Sequence, residues 1–150
     1  MSIYLCSGLG GQVLDDETVR IDVDRSVKPT IQADVRFLPL RPDIRPGTLL
    51  MTPPCTYLSK AWQPWPRKGI RWNLDVVGAC LEAIPYLKPK KWVLENPQGY
   101  LRRLIGEPQG EARWAADDLM KKDEDFWTND ARALRRAIMP KEITQRLLER

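Results

Sequence analysis

The chain has 150 residues, a net charge of +4, three cysteines and no histidine. That length supports one domain burying roughly two thirds of its unfolded surface, with no room for a second of ordinary size. Without histidine there is no Ser–His or Cys–His nucleophile–base pair and no histidine-containing zinc site, and three scattered cysteines make no Cys₄ site, so no metal is expected.

The basic residues are spread along the chain rather than gathered in a tail, which permits a polyanionic partner. No cysteine pairing pattern, signal peptide or membrane-length apolar run is seen. A reducing, cytoplasmic setting and no membrane contact are therefore expected.

Residues 3–6 read as a short apolar strand running into Ser7, Gly8, Leu9, Gly10 and Gly11. Glycines directly after a strand allow a tight turn and close approach of backbone to a ligand, although this pattern alone is a weak pointer to a nucleotide-type site. Residues 18–24 alternate and read as a second strand ending in acids. An acid there commonly accepts from a ribose; Asp22 and Asp24 read equally well as solvated turn residues. Between the glycines and this strand lie only Gln12 to Thr18. That leaves room for about two helical turns, where a parallel crossover normally needs a dozen or more residues.

A third short strand is expected over residues 29–35, ending near Asp34, followed by a proline-rich connector over 39–46. Residues 47–51 are short, apolar and preceded by turn residues, as in a buried strand. Pro53 and Pro54 then make the backbone extended and stiff, which fixes the direction of Cys55. Open α/β sheets bind ligands at the carboxyl ends of their strands, so Cys55 is a candidate nucleophile. Cys6 and Cys80 read as small buried hydrophobes.

Residues 60–72 interleave Trp62, Trp65 and Trp72 with Lys60, Arg67, Lys68 and Arg71, broken by Pro64, Pro66 and Gly69. A long loop is predicted, whose cations suit phosphates and whose rings suit unstacked bases. The competing reading is a local tryptophan core with a basic rim. Asn73 is expected to cap a helix over 74–87 with Val76, Val77, Cys80, Ala83, Ile84 and Leu87 on its apolar face. A strand over 92–94 follows, with Glu95, Asn96 and Pro97 at its end. Right-handed crossovers then bring Cys55 and Glu95 to one edge of the sheet. Beyond residue 98 the reading is a helical or irregular tail, with a helix over 112–122, an isolated apolar patch at 126–129 and helices flanking Pro140.

Four of these motifs together resemble the DNA (cytosine-5)-methyltransferases, especially small phage-type members. Ser7-Gly8-Leu9-Gly10-Gly11 looks like the family's first cofactor motif. Asp22, followed by Val23, matches the acid that holds the ribose of S-adenosyl-L-methionine, and Asp34, followed by Val35, the residue near the adenine amino group. Pro53-Pro54-Cys55 looks like the nucleophile motif and Glu95-Asn96 like its partner, in the family's order across residues 3–97. The resemblance implies a minimal Rossmann-like α/β methyltransferase fold, with a mostly parallel sheet and helices on both faces, in a single domain over 1–150. It implies S-adenosyl-L-methionine as cofactor and DNA as partner. Cys55, Glu95 and Asn96 would be catalytic, and Ser7 to Gly11, Asp22, Val23, Asp34, Val35 and Pro53 would bind cofactor.

The cytosine must leave its stack to reach such a site, and Lys60, Trp62, Trp65, Arg67, Lys68 and Arg71 would hold the DNA, with Arg113 as a faint counterpart of the base-contacting arginine motif. No target-recognition domain is seen, which leaves room for a separate specificity partner or a homo-oligomer. Two other readings stay open. One is a non-catalytic binding module with a collapsed cofactor site, which the short first crossover favours. The other is an amino-methyltransferase, although Thr52 lacks the carbonyl oxygen that its Asp/Asn-Pro-Pro-aromatic motif supplies and Cys55 stands in place of the aromatic.

Overall fold

The structure is a computed structural model and describes residues 1–8, 17–59, 70–113 and 123–129. Among the described residues seven strands form one sheet: β1 (Ser2–Leu5), β2 (Thr18–Asp22), β3 (Ile31–Gln32), β4 (Thr48–Met51), β5 (Lys91–Pro97), β6 (Gly110–Arg113) and β7 (Asp123–Thr128). Their spatial order is β3-β2-β1-β4-β5-β7-β6. β1 to β5 are mutually parallel, and β7 runs antiparallel to both β5 and β6.

Register decides which side chains share a face. Leu5, Met51 and Leu94 stand abreast across β1, β4 and β5, and Trp127 of β7 continues the row. With Ile3, Ile21 and Leu49 they form the floor of the main core, which α1 (Ile70–Leu87) covers with Val76, Val77, Cys80, Ala83 and Leu87. The recurrence of those helix residues at three- and four-residue steps places one stripe against the sheet. Leu101, from the short helix α2 (Leu101–Ile105), joins the same core. On the other face of the sheet Val93 and Phe126 are buried against Leu50. Among the described residues no helix is long and apolar enough to cross a membrane.

Three expectations change. The helix begins at Ile70 rather than after Asn73, so Asn73 does not cap it: it lies in the buried stripe with no exposed surface. The strand expected over 92–94 extends to Pro97, because Glu95, Asn96 and Pro97 pair with Phe126, Asp125 and Glu124. The segment around Phe126 is therefore not an isolated patch. It is an internal strand of the sheet, and residues 110–113, the last two expected to begin a helix, are its edge partner. The acids in the run Asp123-Glu124-Asp125 obscure this strand, since Asp and Glu are poor strand formers. Asp125 is tolerated because Arg102 of α2 grips both its oxygens, at 2.5 and 2.6 Å. The helices expected near Pro140 lie outside the described residues.

Candidate active site

The strand order reverses between β1 and β4, and open α/β sheets hold ligands beyond the carboxyl ends of the strands at such a point. The residues leaving β1, β2, β4 and β5 all meet there.

β1 is followed by Cys6, whose φ of 55° is unusual for a residue with a side chain. Its N–H donates to the Ile21 carbonyl at 2.9 Å, and its own carbonyl accepts from the Thr52 hydroxyl at 2.7 Å. Those bonds hold the strained turn that leads into Ser7 and Gly8. Gly8 also has a positive φ, 49°, and a Cβ there would meet nothing within 4 Å, so conformation and not crowding asks for glycine. The Gly8 N–H donates to Asp22 Oδ2 at 2.8 Å, and the Asp24 N–H to Asp22 Oδ1 at 2.9 Å. Asp22 thus ties the first glycine turn to the end of β2. Each carboxylate oxygen keeps a second lone pair for an outside donor.

Val23, next to Asp22, is 59% exposed, an apolar surface at the edge of the sheet. Ser7 is buried, and its hydroxyl has no hydrogen-bond partner among the described residues. Asp34 caps a 3-10 turn (Val35–Phe37) and is bound by the Arg36 guanidinium, which holds its carboxyl below the usual range. Val35 lies in the main core. Leu9, Gly10 and Gly11 are outside the described residues.

β4 pairs with its neighbours only to Met51. Pro53 and Pro54 bring no N–H, but their carbonyls are both used. Asn96 Nδ2 of β5 donates to Pro53 O at 3.0 Å, and Asn73 Nδ2 of α1 to Pro54 O at 2.8 Å. The Cys55 carbonyl then accepts from the N–H groups of Leu58 and Ser59, at 2.9 and 3.0 Å. The chain is therefore fixed on both sides of Cys55, itself a half-buried residue. Farther on, the Tyr100 N–H donates to Leu58 O at 2.8 Å, and Ser59 bridges to Gly99. The Cys55 turn is thus sewn to the segment that follows Glu95. Glu95 itself is half-buried, one residue past the last β4–β5 pair, on the sheet face that carries Tyr4, Leu50 and Val93.

Arg71 and Trp72 are exposed on the first turn of α1, directly before Asn73. Lys60, Trp62, Trp65, Arg67 and Lys68 lie outside the described residues, and so does the side chain of Arg113. The described ends of that basic segment, Ser59 and Ile70, are close in sequence to Cys55 and Asn73, the residues fixed above.

Sequence reasoning missed Tyr4 and Thr52. Burial pushes the Tyr4 phenol up to about 12; the Thr52 hydrogen bond opposes the rise, and Glu95, Cys6 and Asp22 add to it. The phenol is therefore neutral. The Thr52 hydroxyl shares its one proton between Cys6 O at 2.7 Å and the Tyr4 oxygen at 3.2 Å. Tyr4→Phe is expected to lower stability by about 0.5–1.5 kcal/mol near neutrality, the worth of one hydrogen bond. It should also remove an alkaline effect. The folded pKa exceeds the unfolded value of 10.0, so the contribution is complete below pH 10 and fades as pH climbs through about 12. Urea midpoints from pH 8 to 12 check this; wild-type and variant curves that fall in parallel would contradict it.

This strand order, with β7 running against its neighbours, is a Rossmann-like α/β arrangement. No family model matches the chain, and no curated protein does. Among solved structures it is similar to a prophage-encoded E. coli protein assigned as a DNA modification methyltransferase. The TM-score is 0.56 at 16% identity, over 92% of this chain and 48% of that one. The present chain thus spans about half the length of that neighbour.

Proposed function

We propose that this protein is an S-adenosyl-L-methionine-dependent DNA (cytosine-5)-methyltransferase that works through a covalent adduct on Cys55. The observation that carries this reading is the joining of two strand ends. The loop bearing Cys55 and the strand bearing Glu95 are fastened by Asn96–Pro53, Tyr100–Leu58 and the Ser59–Gly99 bridge.

The residues beside β1 and β2 fit the cofactor. Asp22 has oxygens for ribose hydroxyls, Val23 offers an apolar surface for a base, and the buried Ser7 hydroxyl has no partner among the described residues. When bound, the cofactor supplies an electrophilic methyl group. The protein's part is to make a cytosine ring carbon nucleophilic. The Cys55 thiolate adds to ring carbon 6 while Glu95 gives a proton to ring nitrogen 3, so no anion builds on the ring. Attack by carbon 5 would break the cofactor's sulfonium–methyl bond and release the neutral thioether. Water would then take the carbon 5 proton as the thiolate leaves carbon 6, and ring nitrogen 3 would return its proton to Glu95. Arg71, Trp72 and the basic segment before them suit the backbone and unstacked bases of extruded DNA.

An amino-methyltransferase is disfavoured by Thr52, whose proton is shared between Cys6 O and the Tyr4 oxygen and which offers no carbonyl to an exocyclic amine. Nucleoside analysis of DNA incubated with protein and cofactor should give 5-methylcytosine. Methyl groups on an exocyclic nitrogen would refute the proposal. Asp22→Ala should weaken cofactor binding by about 1–3 kcal/mol in calorimetry, the cost of leaving polar groups unpaired. No heat from the wild type at millimolar cofactor, with DNA present, would favour the non-catalytic module.

A further inference from the structure

Asn73 is out of place by every local rule. It occupies the buried stripe of α1, where Val76, Val77 and Cys80 follow at three-, four- and seven-residue steps. Asparagine is a poor helix former, and burying its amide is costly unless both ends find partners. Its Oδ1 finds none among the described residues, and the side chain has no exposed surface. Its amide instead bonds out of the helix, from Nδ2 to Pro54 O at 2.8 Å. That carbonyl belongs to the peptide group whose nitrogen is that of Cys55.

We propose that Asn73 is a positioning residue for Cys55: by holding the Pro54 carbonyl it sets the plane of the Pro54–Cys55 peptide and so the direction of the thiol. Asn96 does the same for the preceding peptide through Pro53 O. Proline at both positions fixes φ but leaves ψ open, and the two amides supply that missing constraint. One comes from α1 and one from β5. The consequence for chemistry rests on the reading of Cys55 as the nucleophile; the placement of Cys55 does not.

The test uses the full chain with ¹³Cβ-labelled cysteine, and the variant Asn73→Leu, which is similar in size and removes the buried amide. In two-dimensional spectra the Cys55 signal should shift or split, while that of Cys6, which Asn73 does not hold, stays in place. On DNA containing 5-fluorocytosine with S-adenosyl-L-methionine, the single-turnover adduct rate should fall ten- to a hundredfold, the scale expected from a misplacement of about 1 Å. Cofactor and DNA dissociation constants should stay within about twofold by the same reasoning, since neither site uses Asn73. An unmoved Cys55 signal with an unchanged adduct rate overturns the proposal. If the wild type forms no adduct but the Cys55 signal still moves in the variant, the positioning stands and the nucleophile reading falls.

Should Asn73→Leu fail to fold, Asn73→Asp takes its place. A protonated carboxyl group donates to Pro54 O and an ionised one cannot, so its adduct rate relative to wild type should recover as pH is lowered. A ratio that does not change with pH overturns the proposal.

Discussion

Cys55→Ser is expected to form no denaturation-resistant adduct with 5-fluorocytosine DNA, and methyl transfer should drop below detection. Fluorine at carbon 5 cannot leave as the proton does, so an attacking thiol remains bonded to the base after methyl transfer. In the wild type, mass spectrometry should place the adduct on the peptide containing Cys55. An alcohol is far less ionised than a thiol near neutrality, so serine in the same position is a poor nucleophile. Of the other thiols, Cys80 is unsuited to the task. Cys80 is buried, and its hydrogen bond with Cys6, reinforced by burial, pushes its pKa far above the ordinary thiol range. Glu95→Gln should bind DNA normally yet form the adduct about 100- to 10,000-fold more slowly, the usual worth of a placed general acid. An adduct on Cys6 or Cys80, or methylation that survives Cys55→Ala, would rule this mechanism out.

The second large effect concerns stability. Asp125 is wholly buried in β7, and its partner is Arg102, whose side chain is 29% exposed. Arg102→Met should cost about 3–5 kcal/mol, because it strands a buried carboxylate rather than merely removing an attraction. The exposure of the arginine puts the expected value near the lower end. The double variant Arg102→Met/Asp125→Leu should recover most of that loss, since an apolar pair needs no counter-charge. Urea unfolding of the three proteins checks both points. A single-variant loss below about 1 kcal/mol, or no recovery in the double, would show that the pair is solvated and of little weight.

The strands that carry the motifs were legible in the sequence because each combines a short apolar run with a punctuating turn. Residues 3–6, 18–24 and 47–51 lie within a residue or two of β1, β2 and β4. The order of the motifs also gave the right edge of the sheet, because parallel strands with right-handed connections put all their carboxyl ends together. What escaped notice depends on partners distant in sequence. Nothing local marks Asp123-Glu124-Asp125 as a strand; Arg102, 23 residues before Asp125, makes it one. Asn73 read as a cap because asparagine before an apolar helix usually is one. Its true partner lies 19 residues upstream. Tyr4 looked like one more apolar strand residue until Thr52, 48 residues away, met its hydroxyl.

The pairing of Glu95, Asn96 and Pro97 with β7 has a bearing on how the molecule divides. Every recognisable motif lies before residue 98, which invites a cut there. Yet beyond Met51 the strand β4 no longer pairs with β5, and the neighbour of Glu95 from then on is Phe126. A fragment ending at Pro97 would keep all the letters of the site while exposing the edge of the strand that carries its acid. The boundary between motif and scaffold therefore runs between strands in space and corresponds to no single point along the chain.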